Sequence, residues 1–258
     1  MSIKLDLHYV EPRLVQLYDT DNPLGIDSNF YMQLADELDA KTIIDLGCGT
    51  GLLTRQLAKD GRRVIGVDPS TAMLNYGKQQ PGADKVEWVH GDSSALGQWF
   101  VDLGSTADLG IMTSNVAQVF LDDAEWQTTL SHFAKVLKSG GTLAFESRNP
   151  LAKGWERWNK ADTHEIQQSP FGPLECWLDV IEIGENHRTI KFEATNIFQD
   201  SGETLIVDST LRFRSAGEIT LSLQQTGFSV DRIYGDWKKK PFTPADPIMV
   251  FVAKKPNH

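Results

Sequence analysis

Ile43-Ile44-Asp45-Leu46-Gly47-Cys48-Gly49-Thr50-Gly51 is the stretch whose reading decides the fold. Its apolar start reads as a buried strand, which runs straight into a glycine-rich turn and then into helix-competent sequence from Leu52 to Lys59. Glycines in such a turn allow backbone conformations that a Cβ forbids, and they let a ligand approach the main chain. Asp45 stands just before the turn, where its carboxylate can meet a cationic or hydroxylated ligand.

Strands and helices alternate outward from this point. Phe30 to Leu38 reads as an amphipathic helix ahead of the first strand. Arg63 to Val67 is a second strand ending in Asp68-Pro69-Ser70, and Ser70 to Lys78 a helix. Val86 to His90 is a third strand, ending in Gly91-Asp92. Ala107 to Thr113 is a fourth, Trp126 to Leu137 a helix closed by Lys138-Ser139-Gly140-Gly141, and Thr142 to Glu146 a fifth strand. Such alternation predicts a parallel sheet covered on both faces. The rhythm breaks at Asn149-Pro150. Pro150 to Asp162 suits a helix with Asn149 as its cap. Leu174 to Ile183, Arg188 to Phe198 and Thr204 to Phe213 then read as an antiparallel meander joined by turn-forming residues. Ala216 to Thr226 returns to helix, and Ser229 to Tyr234 and Ile248 to Ala253 complete the strands. The expected architecture is α/β: a seven-stranded, mostly parallel, doubly wound sheet with an antiparallel β insertion before strand six. The expected division is a core over 1–150 with N-terminal helices, an insertion over 151–214, and completion of the core over 215–258.

Three acids, Asp45, Asp68 and Asp92, end three successive strands. Ligands of doubly wound sheets bind outside the carboxyl ends of the strands, so the three should line one crevice. Each also has a plainer reading: Asp68 before Pro69-Ser70 as a helix cap, Gly91-Asp92-Ser93 as a tight turn.

Composition narrows the partners. The chain of 258 residues is 40% hydrophobic and 23% charged, which is ordinary for a globular protein. A formal net charge of −10 disfavours a phosphate backbone as ligand, so no nucleic acid is expected. Cys48 and Cys176 are the only cysteines and form no Cys-x-x-Cys pair, so no metal site is expected. Met1 to Leu14 contains no apolar run of signal-peptide length, and no stretch approaches the ~20 apolar residues of a membrane helix. A cytoplasmic protein without a membrane partner is the expectation; oligomeric state is open.

The pattern acid-hydrophobic-Gly-x-Gly-x-Gly, with acids after the second and third strands and an antiparallel insertion before the sixth, resembles class I S-adenosylmethionine-dependent methyltransferases that act on small molecules. The resemblance spans roughly Ile26 to Lys255. A nicotinamide-binding turn has instead G-x-G-x-x-G, and offers its helix N-terminus to pyrophosphate. Here the third glycine comes one residue early and an acid precedes the first, which suits a positively charged ligand better. A module that binds S-adenosylmethionine without transferring its methyl is the alternative, and an NAD-dependent oxidoreductase a less favoured one.

The resemblance implies S-adenosylmethionine as cofactor and S-adenosylhomocysteine as product. It implies backbone contacts from Gly47, Cys48, Gly49 and Gly51 to the methionine part, with Asp45 at its amino group. Asp68, beside Pro69, takes the ribose hydroxyls. Asp92 and Ser93 meet the adenine, and Met73 either packs on it or belongs to the core. Thr113, Ser114 and Asn115 lie beside the transferable methyl, and Tyr18-Asp19 covers the methionine end. The insertion becomes a lid over a small-molecule acceptor. The Asn- or Asp-Pro-Pro-aromatic motif of DNA amine methyltransferases is missing from Thr113-Ser114-Asn115-Val116-Ala117-Gln118, as are the paired glutamates of protein-arginine methyltransferases.

Methyl transfer needs donor and acceptor held together, and a base only where the acceptor must lose a proton. Candidates for that role are Asn115, Glu146, Arg148, His164 and Tyr234. Glu146 and Arg148, two apart at a strand end, either pair with each other or leave Arg148 to grip an acidic acceptor. Trp155, Trp158 and Trp177 either glue the lid to the sheet or line the acceptor pocket. Cys48, inside the turn and without a nearby histidine, is read as structural.

Overall fold

The structure is a computed structural model that describes residues 5–59, 61–97 and 107–257. Strands β1 (Thr42–Leu46), β2 (Arg63–Asp68), β3 (Val86–His90), β4 (Ala107–Met112), β5 (Leu137–Arg148), β10 (Ser229–Tyr234) and β11 (Ile248–Lys254) form one sheet in the order β10-β11-β5-β4-β1-β2-β3. The order reverses between β1 and β4, both parallel to their neighbours. β11 runs antiparallel between β5 and β10. Helices α2 (Ile26–Glu37) and α3 (Leu52–Leu57) cover one face through Phe30, Leu34 and Leu57. Helices α5 (Asp123–Val136) and α7 (Ala216–Gln225) cover the other through Trp126, Phe133, Ile219 and Leu223. α1 (Pro12–Asp21) and α4 (Thr71–Gly77) stand at the carboxyl edge and touch each other.

Between β5 and α7 lies a second sheet, β6 (Glu165–Ser169), β7 (Gly172–Ile183), β8 (Thr189–Phe198) and β9 (Glu203–Arg212), antiparallel throughout and in sequence order. The expected meander is therefore present, with one strand more than its sequence pattern shows. Glu165-Ile166-Gln167-Gln168-Ser169 has a single apolar residue, and Ile166 is exposed, so an edge strand here buries nothing that alternation would reveal. The inner face of this sheet packs Leu174, Ala194, Phe198 and Val207 on Leu14 and Leu17 of α1. Arg13 adds a forked pair to Glu203 at 2.8 and 3.0 Å and lies 4.4 Å over the Phe198 ring.

The helix expected over Pro150 to Asp162 is broken into a 3-10 turn at Pro150–Ala152, another at Gly154–Arg157 and a short helix α6 (Lys160–Thr163). Asn149 does cap the first, accepting from Leu151 N at 3.1 Å. Lys153 then turns left-handed at φ +48°, and Asn159 starts a new cap by accepting from Asp162 N. Asparagine favours caps over helix interiors because its side chain competes for backbone groups, so one amphipathic stripe becomes separate turns. The helix ending near Leu137 also passes directly into extended chain, so β5 begins before the Gly140-Gly141 turn rather than after it.

Trp155 is 2% exposed and packs at 4.7 Å on Phe213, beside Ile190. Trp158 is half-buried and also faces Phe213. The two tryptophans therefore divide the expected roles: Trp155 is glue. Trp155→Ala should destabilise the protein by about 3–5 kcal/mol, as for a large buried aromatic, in denaturant titration. A loss under 1 kcal/mol would mean the second sheet is not anchored through this residue.

Candidate active site

The turn after β1 is held from below by backbone bonds: Gly47 N and Cys48 N both donate to Val67 O of β2, at 2.8 and 3.1 Å. Gly47, Gly49 and Gly51 all adopt positive φ, +77°, +57° and +72°. A Cβ at Gly47 would come within 2.5 Å of Val116, and one at Gly51 within 2.3 Å of Trp88, so those two positions have no room for a side chain. A Cβ at Gly49 would meet only the Tyr18 ring, at 3.7 Å. The middle glycine thus faces an opening, roofed by Tyr18.

Asp45, Asp68 and Asp92 lie at the carboxyl ends of adjacent strands β1 and β2 and just beyond β3, as expected. Asp45 is 1% exposed; its Oδ2 accepts from Thr54 Oγ1 at 2.6 Å, while Oδ1 is buried and has no partner. Burial pushes its pKa up to about 7, against the pull of the Thr54 bond and with the help of the Asp68 charge. Asp68 accepts from Gly49 N at 2.8 Å and from Ser70 N at 2.7 Å, one bond to each oxygen. The cap of α4 itself is Ser70, which accepts from Met73 N at 3.1 Å. Asp68 therefore braces the glycine turn against the start of α4, and each oxygen keeps capacity for a further donor. Burial raises its pKa, resisted by those two N–H groups and by His90.

Asp92 accepts from Ser94 N at 2.7 Å, and Ser93 Oγ lies 3.0 Å from Thr129 Oγ1 and 3.1 Å from His132 Nδ1. Asp92, Ser93, Phe120 and His132 help line a cavity of about 140 Å³. Met73 has no exposed surface at all and sits in the core. The Pro69 carbonyl is held 3.0 Å from His90 Nε2. The Cys48 thiol is driven well above its ordinary pKa by burial and by Asp45 and Asp68, so it is no nucleophile.

A second cavity, of about 360 Å³, opens at the carboxyl ends of β4 and β5, lined by Asn115, Arg148, Gly154, Trp158, Trp237, Pro247 and Ile248. Thr113 leads into a strained turn in which Ser114 and Asn115 are both left-handed, at φ +55° and +63°. Asn115 N donates to Glu146, which also accepts from the Tyr31 hydroxyl. Glu146 is 2% exposed, and burial raises its pKa to about 7 in spite of these two bonds. Glu146 and Arg148 do not pair with each other. Arg148 instead donates to Gln118 Oε1 at 3.0 Å and stacks 5.4 Å over Trp158. His164 lies outside this cavity, on the exposed side of the second sheet, 3.0 Å from Glu175. Tyr234 packs on Phe30 at 6.0 Å.

Two neighbours of the site were not legible in the sequence, Trp237 and Tyr9. Trp237 comes from the β10–β11 connection. Tyr9 lies near both Asp68 and Arg148, and burial followed by the charges of Asp6 and Asp68 pushes its pKa up to about 12. Asp19 bonds Thr50 and lies 3.2 Å from Arg55, so α1 is tied to the glycine turn. Only Tyr18-Asp19 gave any hint of that tie. Among the described residues no group of three or more metal-ligating side chains converges, and no helix is long and apolar enough to cross a membrane.

Residues 43–141 match the model of a methyltransferase domain family. The chain is also 35% identical over 220 residues to a cypemycin N-terminal methyltransferase from Streptomyces sp., covering 84% of each. The chain belongs to the class I S-adenosylmethionine-dependent methyltransferases. Its fold is shared by the CcbJ methyltransferase from Streptomyces caelestis, with TM-score 0.73 and 18% identity over 91% of this chain and 98% of that one. It is shared too by CalS10, an amino pentose methyltransferase from Micromonospora echinaspora solved with S-adenosylmethionine bound, with TM-score 0.68 and 20% identity over 93% and 97%. This methyltransferase uses S-adenosylmethionine, and the nicotinamide reading is set aside.

The site fits that cofactor: Asp45 carries an orphaned buried carboxylate oxygen just before a turn whose middle glycine opens outward. In the fold Asp45 and Glu146 keep their protons to about pH 7; unfolded, they lose them near pH 4. The native state therefore binds more protons in that window. Their contribution to stability is full below about pH 4 and declines as pH rises to about 7. A cation beside Asp45 reverses this for Asp45. Binding of S-adenosylhomocysteine near pH 6.5 should release protons, seen as calorimetric heats that differ between buffers of different ionisation enthalpy. Affinity should rise from pH 6 to pH 8. Identical heats in all buffers would show that Asp45 does not change its protonation state on binding.

Proposed function

We propose that this methyltransferase transfers a methyl group to an amine nitrogen of a small-molecule acceptor held in the cavity between Asn115, Arg148, Trp158 and Trp237. The observation that carries the nitrogen is the lining of that cavity: Arg148 is its only ionisable side chain among the described residues, and arginine is no base at neutral pH. A hydroxyl acceptor needs a positioned base. An amine, with a pKa of roughly 8–10, loses its proton to water and attacks with its own lone pair. The amine reading also agrees with the cypemycin N-terminal methyltransferase, whose name places its methylation at an N-terminus.

The residue roles follow the geometry. Asp45 Oδ1 would accept from the cofactor's amino group, and the turn Gly47 to Gly51, with Cys48, would lie along its methionine part. The free capacity of the Asp68 carboxylate would take the ribose hydroxyls, with Asp92 and Ser93 at the adenine. Tyr18 would cover the methionine end, and Thr113 and Asn115 would stand beside the transferable methyl. S-adenosylmethionine, when bound, supplies a methyl on a positively charged sulfur. The chain contributes position and exclusion of water, with 151–214 as the lid.

Turnover tests this directly. Wild type should form S-adenosylhomocysteine with primary or secondary amines and not with the matching alcohols, read by mass spectrometry of the acceptor. Alcohols methylated in preference to amines would overturn the assignment to nitrogen. Asp68→Ala should weaken S-adenosylhomocysteine binding at least tenfold, because charge-assisted bonds are worth about 1.5–3 kcal/mol each. Unchanged affinity in a folded Asp68→Ala protein would leave Asp68 only the bracing of the turn.

A further inference from the structure

Every arginine of the described chain that is not exposed has a carboxylate partner, with one exception. Arg13 pairs with Glu203, Arg55 with Asp19, Arg62 with Asp36 and Arg63 with Glu87, while Arg212 and Arg214 share Asp123. Arg148 has none. Its neighbour Glu146 is engaged by Tyr31 and Asn115 instead, and the contact that Arg148 makes is with the neutral amide of Gln118. Gln118 is itself fully buried, so it fixes one arm of the guanidinium, and the Trp158 ring fixes its plane. Arg148 so held lines the cavity of about 360 Å³.

A half-buried cation with its counter-charge withheld is costly, because burial removes water without supplying an opposite charge. Such a group, oriented and walled by apolar surface, is a prepared receptor for an anion that guanidinium can grip with two N–H bonds. The cofactor also carries a carboxylate, but its turn follows β1. Arg148 ends β5, which lies two strands away across the sheet, about 10 Å at ordinary strand spacing. Arg148 shares its cavity with the lid turn and the β10–β11 connection, not with the glycine turn.

We propose that the acceptor carries an anionic group, carboxylate or phosphate, and that Arg148 is the residue that selects it. The inference rests on the reading of this cavity as the acceptor site. Trp158 and Trp237 supply flat apolar walls for the body of the acceptor, and its amine reaches toward Asn115. The Asn115 Oδ1 atom is buried and has no hydrogen-bond partner among the described residues, so it is available to accept from an N–H.

Matched acceptor pairs test this. L-phenylalanine and L-phenylalaninamide differ in the carboxylate; D-glucosamine 6-phosphate and D-glucosamine differ in the phosphate; phenyllactate and glucose 6-phosphate keep the anion and exchange amine for hydroxyl. Binding to the protein loaded with S-adenosylhomocysteine is read by calorimetry, and methyl transfer by mass spectrometry, for wild type, Arg148→Gln and Arg148→Lys. In at least one pair the charged amine should bind and react at least tenfold better than its neutral partner. Which pair does so names the anion. Arg148→Gln should abolish that preference and Arg148→Lys keep part of it, with S-adenosylhomocysteine affinity and melting temperature nearly unchanged. A wild type that distinguishes neither pair overturns the proposal, as does a preference that survives Arg148→Gln. A tenfold loss of S-adenosylhomocysteine affinity in Arg148→Gln would reassign Arg148 to the cofactor and overturn it equally. Charged hydroxyl compounds methylated while charged amines are not would remove the nitrogen and keep Arg148. Neutral amines methylated in preference to charged ones would do the reverse.

Discussion

The organisation of this molecule depends on one tight passage of backbone, the turn from Gly47 to Gly51, which is packed so closely that side chains are excluded on both sides. Val116 from the turn after β4 closes on Gly47, and Trp88 from β3 closes on Gly51. Gly77 at the end of α4 continues the same contact, since a Cβ there would lie 2.3 Å from Thr50 O. Three elements are thereby wedged around one loop. The bonds from Gly47 and Cys48 to Val67 O, and from Gly49 to Asp68, hold the loop's shape without a ligand. A loop already in its binding shape has little ordering entropy left to lose when cofactor arrives.

Helix α1 extends that constraint to the rest of the molecule. Asp19 reaches the turn through Thr50 and Arg55, while Leu14, Leu17 and Arg13 on its other side hold the second sheet. One short helix is thus in contact with both the cofactor turn and the insertion. A displacement of the second sheet must either carry α1 with it or break the apolar contacts of Leu14 and Leu17. Tyr9 and Tyr18, whose rings lie 6.2 Å apart, stand between the two regions.

The electrostatics divide along the same line. The cofactor side collects carboxylates, Asp45 and Asp68, whose burial raises their affinity for protons and so for a cationic ligand. The cavity at the ends of β4 and β5 holds Arg148, whose pKa is lowered by burial and only partly restored by Glu146 and Tyr9. The strained turn at Ser114-Asn115, which lines the larger cavity through Asn115, is kept in place by the Asn115 bond to a buried Glu146. Left-handed backbone at residues other than glycine persists only where surrounding structure imposes it.

The amino-acid sequence by itself determined the strands of the main sheet, the glycine turn and the three acids at the ends of β1, β2 and β3. Those features are local: a strand's periodicity, a glycine's spacing or an acid at a strand end is written in consecutive residues. It determined less of the insertion. A polar edge strand such as β6 leaves no alternation to read, and the helix expected from Pro150 was undone by caps at Lys153 and Asn159 that only packing selects. Partner choice was decided by the tertiary structure alone. Glu146 and Arg148 are two residues apart, and proximity suggested a pair. Tyr31 and Asn115, brought from α2 and the turn after β4, satisfy Glu146 first, and Gln118 and Trp158 take Arg148. Trp155 and Trp158 were indistinguishable by spacing; burial against Phe213 and Ile190 made one structural and left the other facing the cavity with Trp237. A side chain's role follows from what is folded against it, and contacts across a hundred residues of chain have no signature in the order of neighbours.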